Sequence, residues 1–570
     1  MKKLTSSLII LPVLLAIQSS EAALDRISDF ALLDSKGEFY QLSRYRHQKA
    51  MVIMALDGTC SETMDSIDQF ESLRSKFGDQ PITFLLLNSS DNLNFDNTQT
   101  LSDRALDADL PLLADNGQLV SEAMSVTKSG EVVIVDPNAL TLLYRGIGGE
   151  EASAVIKELL AGEVFQTETK ITSLDGCGLR FPAREKHASE VPDYGTEIAP
   201  IIAEQCAACH REGGIGPFAM DSHLMLQGWA PMIKEVLLTK RMPPMQVDPS
   251  IGHFTNARYV SDADFQKLVH WIDSGAPRGT SSVDPLTLLE FPDRRQWQLG
   301  EPDYIITAPR HEIPATGVLD YINVDVELPF QEDKWVKAVQ YIPGDESVLH
   351  HLLTYVTAPD EAVQGEAATV NVATRFLEGY APGKVDAMTF PEDTGVYIPA
   401  GHKLSMQFHY TTNGKATSDE TVLGLYVYDQ PPRYENFTQS VSGLFRIPPY
   451  ARDHKASARY IFEEDVTITG LRAHMHFRGK DMKFSAEYPD GTMRELLSVP
   501  NYSYAWQPTY AFEQPVNLPA GTRVHVTGAF DNSENNPANP DPSKELTFGL
   551  QSWDEMFIGY WTYHYSDSHE

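Results

Sequence analysis

Val466-Thr-Ile-Thr-Gly-Leu-Arg-Ala-His-Met-His-Phe477 decides how the C-terminal half of the chain is read. From Leu471 onward every second residue is apolar. Leu471, Ala473, Met475 and Phe477 share one face, while Arg472, His474 and His476 share the other. Side chains alternate across a strand, so the segment is a β-strand with one face in a core and the other carrying two imidazoles and a guanidinium. Leu404-Ser-Met-Gln-Phe-His-Tyr410 repeats the pattern and leaves Ser405, Gln407 and His409 together on its polar side. A polar stripe of this kind needs partners when it is buried. From about residue 300 onward, Pro, Gly, Tyr and Asn punctuate short alternating segments, the habit of β-sandwiches, and about 270 residues suffice for two in tandem. The expected spans are 300–435 and 436–570.

His350-His351 poses a different problem. Adjacent strand residues point to opposite faces, so both can serve one metal only at a strand end or bulge, through different ring nitrogens. With His409, His474, His476 and Met556 they make a set of five imidazoles and one thioether. Zinc is satisfied by His, Cys or carboxylate, whereas a thioether beside imidazoles favours a soft ion, above all Cu(I).

The 570 residues are too many for one core, so a multidomain chain is expected. Lys2-Lys3, the apolar stretch Leu8 to Ile17 and the small-x-small site Ser20-Glu21-Ala22 read as a signal peptide over residues 1–22. That stretch is too short to span a bilayer and nothing later is long enough, so the expected location is periplasmic or secreted, with no membrane span. Asp and Glu number 79 against 45 Lys and Arg, giving a net charge of −34. Such an excess argues against nucleic-acid and anionic-lipid partners.

Residues 23–165 alternate between strand-like and helix-like segments, which predicts an α/β sheet. Met51-Val-Ile-Met-Ala-Leu56, Ile82 to Leu87 and Val132 to Val135 are the buried-strand candidates, and a helical stretch ends near Phe77-Gly78. Strand, a turn carrying Cys60, then helix resembles the thioredoxin and redoxin fold. A thiol-disulfide enzyme of that family carries a second cysteine where this chain has Thr63, and the usual proline is absent from Val126-Thr-Lys-Ser-Gly130. The domain therefore reads as a degenerate redoxin with a structural or docking role. Cys60 and Cys177 could form a disulfide in an oxidising compartment, and two unpaired thiols remain the alternative.

A polar linker over 166–190 precedes a mainly helical stretch, 191–280. Its Cys206-Ala-Ala-Cys209-His210 is the c-type haem attachment signature: two thioether bonds and a proximal histidine. A small zinc site would instead need two more ligands from His223, His253 and His270. Arg241-Met-Pro-Pro-Met245 resembles an element of small cytochrome c domains, which implies Met242 as the sixth haem ligand, with Met245 as its rival. Ser261 as cap, Gly275 as stop and apolar Phe265, Leu268, Val269 and Ile272 predict a helix from Asp262 to about Ser274.

Val348-Leu-His-His-Leu-Leu353, Met406-Gln-Phe-His-Tyr410, His474-Met-His476 and Asp554-Glu-Met-Phe557 occur in this order. Over residues 300–570 they resemble the copper type II, ascorbate-dependent monooxygenases, the family of peptidylglycine α-hydroxylating and dopamine β-monooxygenases. The resemblance implies two copper ions facing each other across an open cleft. His350, His351 and His409 would hold the electron-transfer copper, and His474, His476 and Met556 the oxygen-binding, catalytic one. It further implies hydroxylation of a C–H bond with O2, ascorbate as reductant, and Arg472 and Tyr560 against a substrate carboxylate. Ile558 stands where the family has Asn, so a peptide C-terminus is not assured among small-molecule or peptide-like substrates. The alternative is that Arg472 pairs with a nearby carboxylate such as Asp481. Together the segments imply a monooxygenase fused to a covalently bound c-type haem that passes electrons from a periplasmic donor to copper. The alternative is a haem and copper protein for electron transfer or copper binding, without oxygenase activity.

Overall fold

The computed structural model describes residues 25–91, 95–162, 169–214, 216–244, 247–291, 295–361, 375–381 and 387–566. The signal peptide read over 1–22 and Met245 lie outside these residues. The chain is multidomain, with a thioredoxin-like N-terminal region and a C-terminal part rich in β-sheet.

In the N-terminal region a six-stranded sheet runs in the order Leu112–Ala114, Ile82–Asn88, Ala50–Leu56, Val132–Asp136, Thr141–Gly146 and Lys170–Ile171. The first three are mutually parallel, Val132–Asp136 runs antiparallel to both its neighbours, and Lys170–Ile171 pairs in parallel with Thr141–Gly146. The strand Ala50–Leu56 is buried on both faces: Val52, Met54 and Leu56 enter one core and Met51, Ile53 and Ala55 the other. A strand covered from both sides reads as a continuous apolar run, which is why its sequence lacks alternation. The helix Thr63–Phe77 follows, with Cys60 in the turn before it.

Residues 169–190 are more than a linker. They add the edge strand Lys170–Ile171, deliver Cys177, and form the helix Pro182–Ser189. Past them lie the helices Ala199–Gln205, His223–Leu238 and Asp262–Asp273 around the buried Tyr194 and Trp271. The last agrees with its sequence signals: Ser261 Oγ accepts from the Asp264 amide at 3.1 Å, and Gly275 ends it at φ 86°.

Two pairs of sheets form the C-terminal part. In the first, a four-stranded sheet (Ile322–Glu327, Lys403–Tyr410, Leu349–Thr357, Phe376–Tyr380) packs on a six-stranded sheet, five strands of which run from Tyr434–Glu435 to Tyr304–Thr307 while Met388–Thr389 pairs off that path. In the second, Phe437–Ser442, Phe557–Tyr565, Val466–Met475 and Tyr510–Leu518 pack on His454–Ile461, Arg523–Phe530, Gly479–Glu487 and Met493–Val499. The strand Val466–Met475 carries a register shift between Ile468 and Gly470. Val466 and Ile468 before it and Leu471, Ala473 and Met475 after it all enter the core, so the bulge moves the parity by one residue.

The domains touch. Arg44 donates to Asn501 Oδ1 at 2.8 Å, and Phe254 of the helical part bridges Phe512 of the second sandwich. Residues 300–570 contain no cysteine, so no internal disulfide holds either sandwich. Trp561 is fully buried at the centre of the second core. Trp561→Ala is expected to destabilise that sandwich by about 3–5 kcal/mol, read as an earlier denaturant transition in tryptophan fluorescence and far-UV circular dichroism.

Candidate functional site

His351 faces His409 directly across paired strands, and the ladder shifts register between Leu349 and His351. This bulge turns His350 onto the same side as its neighbour. His350 Nδ1 lies 3.1 Å from His351 Nδ1 and 3.3 Å from His409 Nδ1. The sequence reading put the two neighbours on different ring nitrogens. The bulge instead lets both present Nδ1. Three nitrogens bound at about 2.0–2.1 Å around a tetrahedral ion stand roughly 3.3 Å apart, so the donor set fits a single ion. Burial pulls the His350 imidazole down to about 4 and that of His409 to about 3, and drives His351 down as well, with the neighbouring imidazoles adding to it. All three are therefore neutral, lone-pair donors at neutral pH.

The second set is built on the strand Val466–Met475 and the loop before Phe557–Tyr565. His474 Nδ1 donates to Gln507 Oε1 at 2.6 Å, and Gln507 Nε2 donates in turn to Tyr504 O at 2.7 Å, which sets the amide's orientation. His476 Nδ1 donates to Asp554 O at 3.4 Å. Both imidazoles thus keep Nε2 open as the donor, the arrangement by which a metal-binding histidine is oriented. Their rings stand perpendicular, centroids 5.3 Å apart. Burial lowers them to about 4 and about 3.

Glu555, fully buried, accepts from the His476 amide at 2.9 Å and the Arg478 amide at 2.6 Å. The Arg478 guanidinium, also fully buried, donates to Asn532 Oδ1 and to the carbonyls of Trp553 and Asp541. This network ties the loop carrying Met556 to the residues around His476. Glu555 stands beside Met556 in the sequence, yet nothing there marks it as buried. Gln507 sits in an irregular loop and carries no sequence signal at all.

Both sets open on one cavity of about 150 Å³, lined by His350 and His351 from the first sandwich and by His474, His476 and Met556 from the second. Tyr504 stands between His350 and His476. Its ring stacks on His350 at 5.9 Å and meets His476 at 5.8 Å, and its hydroxyl is 2.7 Å from that of Tyr321. Arg472 pairs across strands with Tyr560, and its guanidinium lies 4.3 Å from that ring and 4.7 Å from Phe376. Among the described residues no carboxylate is within ion-pair reach of Arg472. Asp481 lies instead near Lys455 and Lys480, which removes the proposed Arg472–Asp481 pair. Ile558 is buried.

In the helical part, Cys206 and Cys209 stand one turn apart outside any disulfide, and burial pushes Cys206 up to about 12. His210 Nδ1 donates to Phe218 O at 3.0 Å, which leaves Nε2 as the open donor. His223 binds Ala276 O, and His270 lies between His187 and Glu122, so neither is available for a zinc site. Met242 is 39% exposed, next to Pro243. Cys60 and Cys177 form a disulfide, compatible with an oxidising compartment. Among the described residues no helix is long and apolar enough to cross a membrane.

No protein-family model matches the chain, and no curated protein matches it. Solved structures do match. A hypothetical protein from Sinorhizobium meliloti is 20% identical, over 28% of this chain and 95% of that one, at a TM-score of 0.25. An uncharacterized conserved protein from Geobacillus kaustophilus is 21% identical, over 28% and 93%, at 0.25. The thioredoxin domain of a thiol-disulfide oxidoreductase from Bacteroides vulgatus is 13% identical, over 24% and 98%, at 0.21. The thioredoxin-like character of the N-terminal region rests on its own strand order.

The neutral imidazoles set a pH response for the metal-free protein. Unfolded histidines take up protons near about 6.5, while the folded ones resist until about 4 to 3, so stability is present above pH 6.5 and lost as pH falls through that window. Chemical denaturation from pH 7 to pH 4 is expected to show this loss, reduced in His350→Gln and His476→Gln.

Proposed function

We propose that the chain is a periplasmic or secreted copper-dependent monooxygenase that hydroxylates a C–H bond with O2, with electrons supplied by ascorbate or through the fused c-type haem. The observation that carries the reading is that an all-imidazole donor set and an imidazole–thioether set open on one cavity. Bound copper would supply the one-electron redox chemistry that inserting oxygen into a C–H bond requires, at His350, His351 and His409 on one side and at His474, His476 and Met556 on the other.

The chain's own residues then have defined tasks. Gln507 and the Asp554 carbonyl hold the His474 and His476 tautomers. The Arg472 guanidinium, between two aromatic rings on the cavity wall, is placed to hold an anionic group of a small-molecule or peptide-like substrate beside Tyr560. Cys206 and Cys209 would form the thioether bonds to haem, His210 Nε2 its proximal ligand, and Met242 its sixth.

Haem-to-copper transfer draws support from one ion pair. Arg211 directly follows His210 and meets Glu346 at 2.9 Å, both mostly buried, and Glu346 lies four residues before His350. This joins the segment after Cys206-to-His210 to the turn that leads into the strand carrying His350 and His351.

Metal analysis and oxygen-isotope labelling test the reading. The expected result is two copper ions and one iron per chain, with one product oxygen from O2. In Met556→Ala, product formation is lost while the all-imidazole set still binds copper by electron paramagnetic resonance. A protein that binds both metals and consumes no O2 over a broad C–H substrate screen would be the electron-transfer alternative. Gln507→Leu is expected to weaken copper at the second set by about 10–100-fold in competition titrations. In stopped-flow spectroscopy, Arg211→Glu slows haem reoxidation during turnover, and Glu346→Arg in the same chain restores it.

A further inference from the structure

Cys177 reaches Cys60 along a segment of the connector that pairs with the thioredoxin-like domain as a short added strand. The Ser129 amide donates to Cys177 O at 2.9 Å and the Leu179 amide to Thr127 O at 2.8 Å, around an antiparallel bridge between Lys128 and Gly178. Lys128 Nζ donates to Leu174 O at 2.5 Å. Side chains alternate as in a strand: Leu179 packs on the inner core and Phe181 is 2% exposed, while Arg180 turns outward to Asp91. Two backbone bonds and one covalent bond thus hold this peptide to the Thr127–Ser129 edge, the mode by which sheet edges take up extended peptides.

Two further features bear on the disulfide. Glu62 Oε2 lies 3.0 Å from Cys60 Sγ and 3.1 Å from Cys177 Sγ. Sulfurs in a disulfide carry no proton, so these approaches become hydrogen bonds only once the pair is reduced. Cys177 is also half-exposed, within reach of an outside thiol.

We infer that Cys60–Cys177 is a reversible clasp: the domain holds its own connector at a site for extended, cysteine-bearing peptides, and a dithiol opens it. The reductant's thiolate attacks Cys177 Sγ, the Cys60–Cys177 bond breaks, and Cys60 leaves as a thiolate ahead of the helix Thr63–Phe77. The reductant's second thiol then displaces Cys177. In sum the dithiol is oxidised to its disulfide, and the protein gains two electrons and two protons as two thiols. The segment 174–178 then leaves the Thr127–Ser129 edge, and Cys60 with that edge accepts a peptide disulfide by the same exchange. This inference is independent of the copper reading.

The full-length Cys177→Ser protein tests it, with a synthetic peptide of the sequence Leu174 to Phe181 whose cysteine is activated as a 2-thiopyridyl disulfide. Cys60 is expected to capture this peptide with release of 2-thiopyridone at least about tenfold faster than a scrambled peptide, reflecting strand pairing at the edge. Equal rates for the two peptides would overturn the peptide site. A second measurement needs no variant. Native protein treated with dithiothreitol, alkylated and mapped by mass spectrometry is expected to label Cys60 and Cys177 with the circular dichroism spectrum unchanged. Labelling of the pair only in denaturant would show a permanent staple and sink the clasp.

Discussion

Burial of imidazoles without carboxylate partners is the constraint on which the C-terminal half depends. Each sandwich turns one polar strand stripe toward a shared cavity, and the cost of desolvating those groups is offset only where their lone pairs are used. On one side three Nδ1 atoms converge on one another, and on the other two Nε2 atoms are left open because Nδ1 is already taken. The stripes can face inward because the opposite faces of the same strands fill two large apolar cores.

Precision at the cavity comes from irregularities in otherwise regular strands. The bulge before His351 brings two consecutive side chains to one side, and the shift at Gly470 sets which residues downstream face the core. Glu555, its carboxyl pushed up to about 8 by burial, and Arg478 add a fully buried polar network that fixes backbone amides beside His476. Such a network is weak evidence of net stability, because the cost of desolvating its groups offsets what their contacts return. Its value lies in position. It leaves the loop carrying Met556 one place to go.

The N-terminal and helical regions are fastened to this half and to each other by polar contacts. Arg211–Glu346 joins the Cys206-to-His210 turn to the turn ahead of the strand that carries His350, and His270 links the connector helix to Glu122 of the thioredoxin-like region. The Cys60–Cys177 disulfide ties the connector that leads to the helical region back onto the thioredoxin-like region.

Period-two alternation was enough to assign the polar faces of Arg472, His474 and His476 and of Ser405, Gln407 and His409, because the apolar residues between them must enter a core. Capping chemistry was likewise enough to bound the helix Asp262–Asp273. Alternation could not account for His350 with His351, since a bulge is a property of two paired strands and not of either alone. Gln507, Tyr504 and the Arg211–Glu346 pair were illegible for the same reason. They lie far in sequence from what they touch, and no local pattern encodes a long-range hydrogen bond or ion pair. The sequence by itself determined which residue types could bind metal and on which strand faces they lie. Only the tertiary structure decided which nitrogen each imidazole presents, because a ring's free donor is whichever one its neighbours leave open.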